Sequence, residues 1–434
     1  MGVHNRERRQ KKKAKRERQR RTSAGAGRAH HDVGRSIAWD LGVAVAVGEA
    51  AEAVHHQRGD AVELLELLVS GPPMAGGRRM VARALEEMLA DEVLARASEH
   101  WRPGELVRLV GRRCGPSREE IVAAVVHRAW REGADGFIDP AWAVEAASFE
   151  SASWRIDPTA PTWPGNVEAA VGVLGLLSHL PPLPECRTGT GPNGPPARAT
   201  REGRVLEKVR HLLSKAESTS FPDEAEALTA KAQELLARYS IDRAVVGVSD
   251  PARRSDAAVR RVWIDEPYVA PKAQLLHVVA VVNRCRSVLT EPLGLATVAG
   301  HEDDLDTVET LFTSLLVQAT TQMTASGSRT DSNGRSRTRS FRQSFLVAFA
   351  IRIGHRLQAA GEATVSAATK THGSALVPIL ASREHAADEA IAELFPNLGH
   401  RGSRATDREG WLAGTLAADL ASLSVQPELF NEVA

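Results

Sequence analysis

The densest group of side chains able to do chemistry is His301-Glu302-Asp303-Asp304, with Asp306 two residues on. Carboxylate oxygens joined by one imidazole can hold Mg²⁺ or Mn²⁺, and such a metal site at His301, Glu302 and Asp304 would serve phosphodiester chemistry. The same residues suit the first turn of a helix, where carboxylates answer free N–H groups and the positive end of the macrodipole. The local pattern favours that structural role, because nothing in the spacing brings His355, His372 or His385 to complete a ligand set. Gly189-Thr-Gly191-Pro-Asn-Gly194 has dinucleotide-loop spacing, but Pro195-Pro196 follow where a helix should open onto the pyrophosphate. The chain carries no GxxxxGK[ST] loop, HExxH pair or GxSxG elbow. Nucleotide hydrolysis, zinc proteolysis and serine hydrolysis therefore lack their usual local marks.

Phosphate recognition has better support. Residues 1–30 hold twelve Lys or Arg against Glu7 and Glu17, a net +10 in a chain whose total is +1, so the remainder carries −9. The run RERRQKKKAKRERQRR from Arg6 has Ala14 as its one apolar residue and cannot bury enough surface to offset the entropy of ordering. Such an arm, with Arg16, Arg18, Arg20 and Arg21 at its end, would bind polyanions by counterion release, or serve as a solubilising tail. Arg329, Arg335, Arg337, Arg339 and Arg342 form a second basic stretch among Ser, Thr and Asn.

The elements that must position these groups are mostly helical. Periodicity and Gly/Pro breaks predict helices near 39–56, 61–70, 77–100, 103–114, 117–131 and 165–179, making a helical domain over 36–180. Trp101, Trp130, Trp142, Trp154 and Trp163 are expected to fill its interior, and His127 and His277 to be satisfied core groups. A Pro/Gly linker is expected at 181–200 and a helical hairpin at 201–243. Beyond it, 244–434 predicts a small α+β domain: an extended piece at 258–264, a helix at 271–285, strands at 287–290 and 295–299, and a helix at 303–323. An Arg-rich mobile loop at 325–340 and helices at 341–360, 375–394 and 407–423 complete it, the last capped from Ser403 to Asp407. Phe341, Phe345 and Phe349 recur every four residues, as a core stripe does. The fold class is mainly α: a helical amino-terminal domain, a central αα-hairpin and a small α+β carboxy-terminal domain.

In the hairpin, Val205, Leu206, Val209, Leu212, Leu213 and Ala216 share one stripe, while Lys208, Arg210 and Lys215 fall largely outside it. Pro222, Asp223 and Glu224 suit a new helix start, and Ala225, Leu228, Ala232, Leu235, Leu236 and Tyr239 give the second arm its apolar side. Lys208-Val-Arg-His-Leu-Leu-Ser-Lys-Ala-Glu-Ser-Thr, then Glu224-Ala-Glu, then Ala232-Gln-Glu-Leu-Leu-Ala-Arg-Tyr239 resemble a bacterial and phage family catalogued as domain of unknown function 2786 (DUF2786). The pieces from Gly300, from Ser340 and from His100 also resemble regions of such proteins. The resemblance implies no activity.

Three widely spaced cysteines, Cys114, Cys186 and Cys285, suggest neither a disulfide framework nor a zinc finger, and no apolar run approaches the roughly eighteen residues that span a bilayer. A cytoplasmic protein without membrane contact is expected. The sequence reads as a non-enzymatic binding or scaffolding protein that contacts nucleic acid non-specifically through Arg16, Arg18, Arg20, Arg21, Lys208, Arg210, Lys215, Arg335, Arg337 and Arg339. No cofactor is expected. A divalent metal enters only with the alternative, a metal-dependent phosphodiesterase or nuclease at 301–306, and a protein-protein interaction module is the third reading.

Overall fold

The computed structural model describes residues 31–74, 76–133, 139–186, 257–372, 376–399 and 402–421, together with 208, 211, 212, 215, 231 and 235. It divides into two compact units, Met1–Leu183 and Pro184–Ala434. Both are dominated by helix, and the second adds a small antiparallel sheet.

In the first unit the helices are α1 (His31–His55), α2 (Ala61–Ser70), α3 (Gly77–Ser98), α4 (Pro103–Cys114), α5 (Glu119–Gly133), α6 (Pro140–Ala147) and α7 (Trp163–Ser178). Helix α7 is strongly apolar because it packs between neighbours, meeting α1, α3 and α2. Gly175 makes its closest crossing possible: a Cβ there would lie 2.5 Å from the Ala51 carbonyl oxygen of α1. Helix α4 starts on Pro103, and the Glu105 side chain accepts from Arg102 N at 2.9 Å, answering one of the unpaired donors of the first turn. Trp101, Trp142 and Trp163 are buried, and each indole N–H donates to a backbone carbonyl, of Pro181, Trp101 and Val69 respectively. Trp130 and Trp154, expected to fill the interior as well, are instead half-exposed. Helix α6 is absent from the sequence reading: eight residues give too little periodicity to recognise, although Asp139 caps it by accepting from Ala141 N.

The second unit is built on a sheet of order β1-β3-β2, with β1 (Ala258–Trp263), β2 (Arg286–Thr290) and β3 (Leu295–Gly300) all antiparallel. The central strand β3 is buried along its whole length because helices cover both faces. Ala296 and Val298 face a core shared with α8 (Val269–Val282), α9 (Glu302–Ala325), α10 (Thr338–His372) and α12 (Arg408–Leu420). Val259 and Ala299 face Ile391 of α11 (Leu376–Leu394).

Phe341, Phe345 and Phe349 are buried in that core, as their spacing predicts. Helix α10 runs 35 residues, well past the expected end at 360. Gly354 and Gly361 lie inside it and let Val278 and Val282 of α8 approach, so here the glycines serve close packing and do not break the helix. Helix α12 lies still closer to α10, since a Cβ on Gly410 or Gly414 would overlap the carbonyl of Phe341 or Phe345. Asp407 caps α12 by accepting from Gly410 N at 2.8 Å. Arg356 of α10 closes its other end, donating to the carbonyls of Ala418, Asp419 and Ala421.

The segment after α9, expected as an Arg-rich mobile loop, contains a local arrangement of its own. Asp331 and Arg337 donate backbone N–H bonds to Arg335 and Arg329, Thr330 pairs with Ser336, and the Asp331 carboxylate accepts from Asn333 N and Arg335 N. This is a small hairpin organised by one aspartate, an ordering device that polar composition conceals.

Candidate functional site

The acid-dense stretch opens α9, with His301 as its N-cap residue and Glu302, Asp303 and Asp304 in its first turn. Its carboxylates diverge and are held by arginines from three other places in the fold. Arg260 of β1 binds Glu302 and Asp306 and lies 3.3 Å from Glu309. Arg284, in the turn before β2, donates to Asp304 Oδ1 at 2.6 Å, and Arg383 of α11 lies 3.4 Å from Oδ2. Asp303 stands 3.3 Å from His301 Nδ1 and 3.9 Å from Arg383.

The burial is deep: Asp304 is 0% exposed, Arg383 10% and Arg284 16% by side chain. Electrostatics follow from it. Burial works against the Arg284 and Arg260 cations, yet the carboxylates facing them leave both held above the ordinary arginine range. Burial wins at Arg383, which is shifted down despite Asp304 and Asp303. Burial also raises Asp306 despite Arg260. A divalent ion at Glu302 or Asp304 would have to displace a guanidinium already in place. His355 and His385 are both exposed, and His372 has no described side chain. The arrangement therefore ties β1, the turn before β2 and α11 to the start of α9, a stapling role for residues whose types also fit metal chemistry.

Four arginines of the 329–342 segment separate into two kinds. Arg329 and Arg337 point inward to the start of α12: Arg329 Nε donates to Glu409 at 2.8 Å, while Arg337 donates to Asp407 at 2.7 Å and also to Glu409. Arg329 also lies over the Phe341 ring, 4.8 Å from its centroid. Arg335 and Arg339 are exposed, and neither guanidinium has an acidic partner among the described residues. The hairpin is pinned by two arginines and presents two others to solvent.

Of the hairpin at 201–243, Lys208, His211, Leu212, Lys215, Lys231 and Leu235 are described, and all six are helical. Leu212 and Leu235 pack, partly buried, against the core of the second unit, whereas Lys208 and Lys215 are exposed. One leucine from each expected stripe thus meets that core, while the described lysines lie outside. Arg210, Arg16, Arg18, Arg20 and Arg21 lie outside the described residues, as do the Gly189–Gly194 motif and the linker from 187 on.

Two features have no counterpart in the sequence reading. An open cleft in the first unit is lined by His127, Arg128, Arg131, Trp154 and Arg155, with Arg128 held 3.3 Å from Glu86. His127 thus borders a cleft rather than sitting in the core, and His277 is exposed on α8 beside Ser287 Oγ at 3.2 Å. Both histidines have apolar sequence neighbours, but a helix buries one face only. The second feature is a group of histidines at the meeting of α1 and α7, built from positions too far apart in sequence to suggest one another.

Residues 204–243 match the family model described as "Protein of unknown function (DUF2786)". The pieces beginning at His100, Gly300 and Ser340 fall outside the matched residues. No curated protein and no solved structure matches the chain. Among the described residues, no helix is long and apolar enough to cross a membrane.

Proposed function

We infer that this protein is a binding protein that grips nucleic acid through phosphate contacts, independent of base sequence, and that its folded units supply rigid presentation rather than catalysis. The observation that carries this reading is the division of labour in the 329–342 hairpin. Two arginines are consumed in holding it to α12, so Arg335 and Arg339 stand on a fixed platform and lose less freedom on meeting a phosphate than they would on a free loop. Lys208 and Lys215 on the helical hairpin and Arg16, Arg18, Arg20 and Arg21 on the basic arm add charge to the same task, with Arg210 beside Lys208 in sequence. Arg337 acts as the hairpin's anchor. A reducing cytoplasm suits a chain with three widely spaced cysteines.

Fluorescence anisotropy of labelled duplex DNA over a series of salt concentrations tests the reading on the full chain. Each phosphate contact contributes about 0.9 to the slope of log K against log salt, so removing two in Arg335→Ala/Arg339→Ala should flatten it by about 1.8. Tight binding that survives both high salt and removal of residues 1–30 would refute the electrostatic mechanism, as would an unchanged slope in the double variant.

A further inference from the structure

We propose that the first unit carries a divalent transition-metal site, suited to Zn²⁺, formed by Glu52 and His56 at the end of α1 and His179 just past the end of α7. Glu52 and His56 are four residues apart and so share a helix face. His179 joins them because Gly175 allows the two backbones to close at Ala51, which also brings Gly175 against His55 Cβ. His179 Nε2 is then 3.3 Å from Glu52 Oε1, and His56 Nε2 is 3.5 Å from Glu52 Oε2. The candidate ligand atoms of the three residues all lie within 4.8 Å of one another. Two ligands at tetrahedral Zn²⁺, with bonds of about 2.0–2.1 Å, stand about 3.3–3.4 Å apart, so the separation of His179 Nε2 from Glu52 Oε1 already matches an edge of that figure, with His56 facing the other carboxylate oxygen.

Three further observations favour a cation over a simple surface ion pair. His179 Nδ1 lies 2.8 Å from the Gly175 carbonyl, which can only accept, so Nδ1 is the donor of that contact and Nε2 is the ring nitrogen turned toward Glu52. That is the orientation a ligating histidine takes when a backbone carbonyl fixes its tautomer. His55 stacks on His179 with centroids 3.9 Å apart and planes 6° from parallel, while His56 meets both rings edge-on at 4.9 Å. This packing fixes the ring planes, so the nitrogens of His56 and His179 are oriented beside the carboxylate before any ion arrives. Finally, α1 and α7 both end here, so the negative ends of two helix dipoles converge with Glu52. Imidazole ligands select Zn²⁺ and its first-row neighbours over Mg²⁺ or Ca²⁺. With three protein ligands, all exposed, coordination positions remain for water or a further donor.

The test is calorimetric titration of the chelator-stripped full chain with Zn²⁺, with Mg²⁺ as control, alongside Glu52→Gln and His179→Ala. Glu52 is 53% exposed, so its substitution by Gln leaves packing intact and guards against a result caused by misfolding, which circular dichroism checks. The wild type should bind Zn²⁺ and not Mg²⁺, and each variant should weaken the tightest event by about tenfold or more while remaining folded. Cobalt substituted for zinc should give a tetrahedral visible spectrum in the wild type that is lost in His179→Ala. Absence of Zn²⁺ binding, or equal binding by wild type and a folded Glu52→Gln protein, would overturn the site, the latter by assigning the metal to other histidines of the chain.

Discussion

Replacing Asp304 with Ala is the sharpest test of how the second unit holds together. Asp304 is fully buried, with Arg284 2.6 Å from one carboxylate oxygen and Arg383 3.4 Å from the other. At an effective dielectric of about 20, charges at those separations attract by about 6 and about 5 kcal/mol respectively, before desolvation is subtracted. Each ion loses several kcal/mol of hydration on burial, so the net worth of the group is small, but removing its centre is not. The hydration cost of both guanidiniums remains while their contacts with Asp304 disappear, and Asp303, at 3.9 Å, stays near Arg383. A loss of about 3–5 kcal/mol is expected, the usual cost of breaking a buried pair from one side. Urea unfolding followed by circular dichroism gives the magnitude, and hydrogen exchange should place the loosening in α11 and in the turn before β2, which supply the two arginines. The triple variant Asp304→Leu/Arg284→Met/Arg383→Met should regain most of the loss, because it removes the charges as well as their pairing. A loss below about 1 kcal/mol for the single change would refute the assignment of these residues as a buried staple.

Other expectations follow from packing and ionisation. Gly414→Ala forces a methyl group against the Phe345 carbonyl and should cost about 1–3 kcal/mol, whereas Gly172→Ala in α7, where a Cβ meets nothing within 4 Å, should gain up to about 1 kcal/mol; thermal unfolding distinguishes the two. At Asp407, burial raises the carboxyl but the Gly410 N–H and Arg337 outweigh it, so the folded pKa lies below the unfolded one. The unfolded chain then binds more protons between those values, so this contribution is complete above about pH 4 and fades as pH falls through the folded pKa. Asp407→Ala should cost about 1 kcal/mol at neutral pH and flatten the acid limb of a stability-against-pH curve. Burial and Asp304 push the Cys285 thiol well above its ordinary range, so a thiol reagent should modify Cys186 and Cys114, both partly exposed, long before Cys285 in the native protein; equal rates would refute the burial argument.

The amino-acid sequence by itself determined the elements whose signals are local. Apolar residues at three- and four-residue spacing marked α2 and α4 to their ends, and short β-rich runs around Glu291-Pro292-Leu293-Gly294 marked β2 and β3. Phe341, Phe345 and Phe349 were legible as core, and Asp407 as part of a cap, because each depends on neighbours within a turn or two of helix. Helix α6 and the Asp331 hairpin escaped notice, the first too short for a period and the second ordered by one side chain amid polar residues. What the acidic residues at 301–306 face was decided only by tertiary structure. Arg260, Arg284 and Arg383 come from a strand, a turn and a distant helix, and no local rule predicts which carboxylate each will meet. The division of the loop arginines between Glu409, Asp407 and solvent, and the meeting of Glu52 with His179 across the Gly175 crossing, are likewise settled by how helices pack. Backbone conformation is set by neighbours along the chain, whereas the environment of an ionisable group is set by whatever folding places beside it.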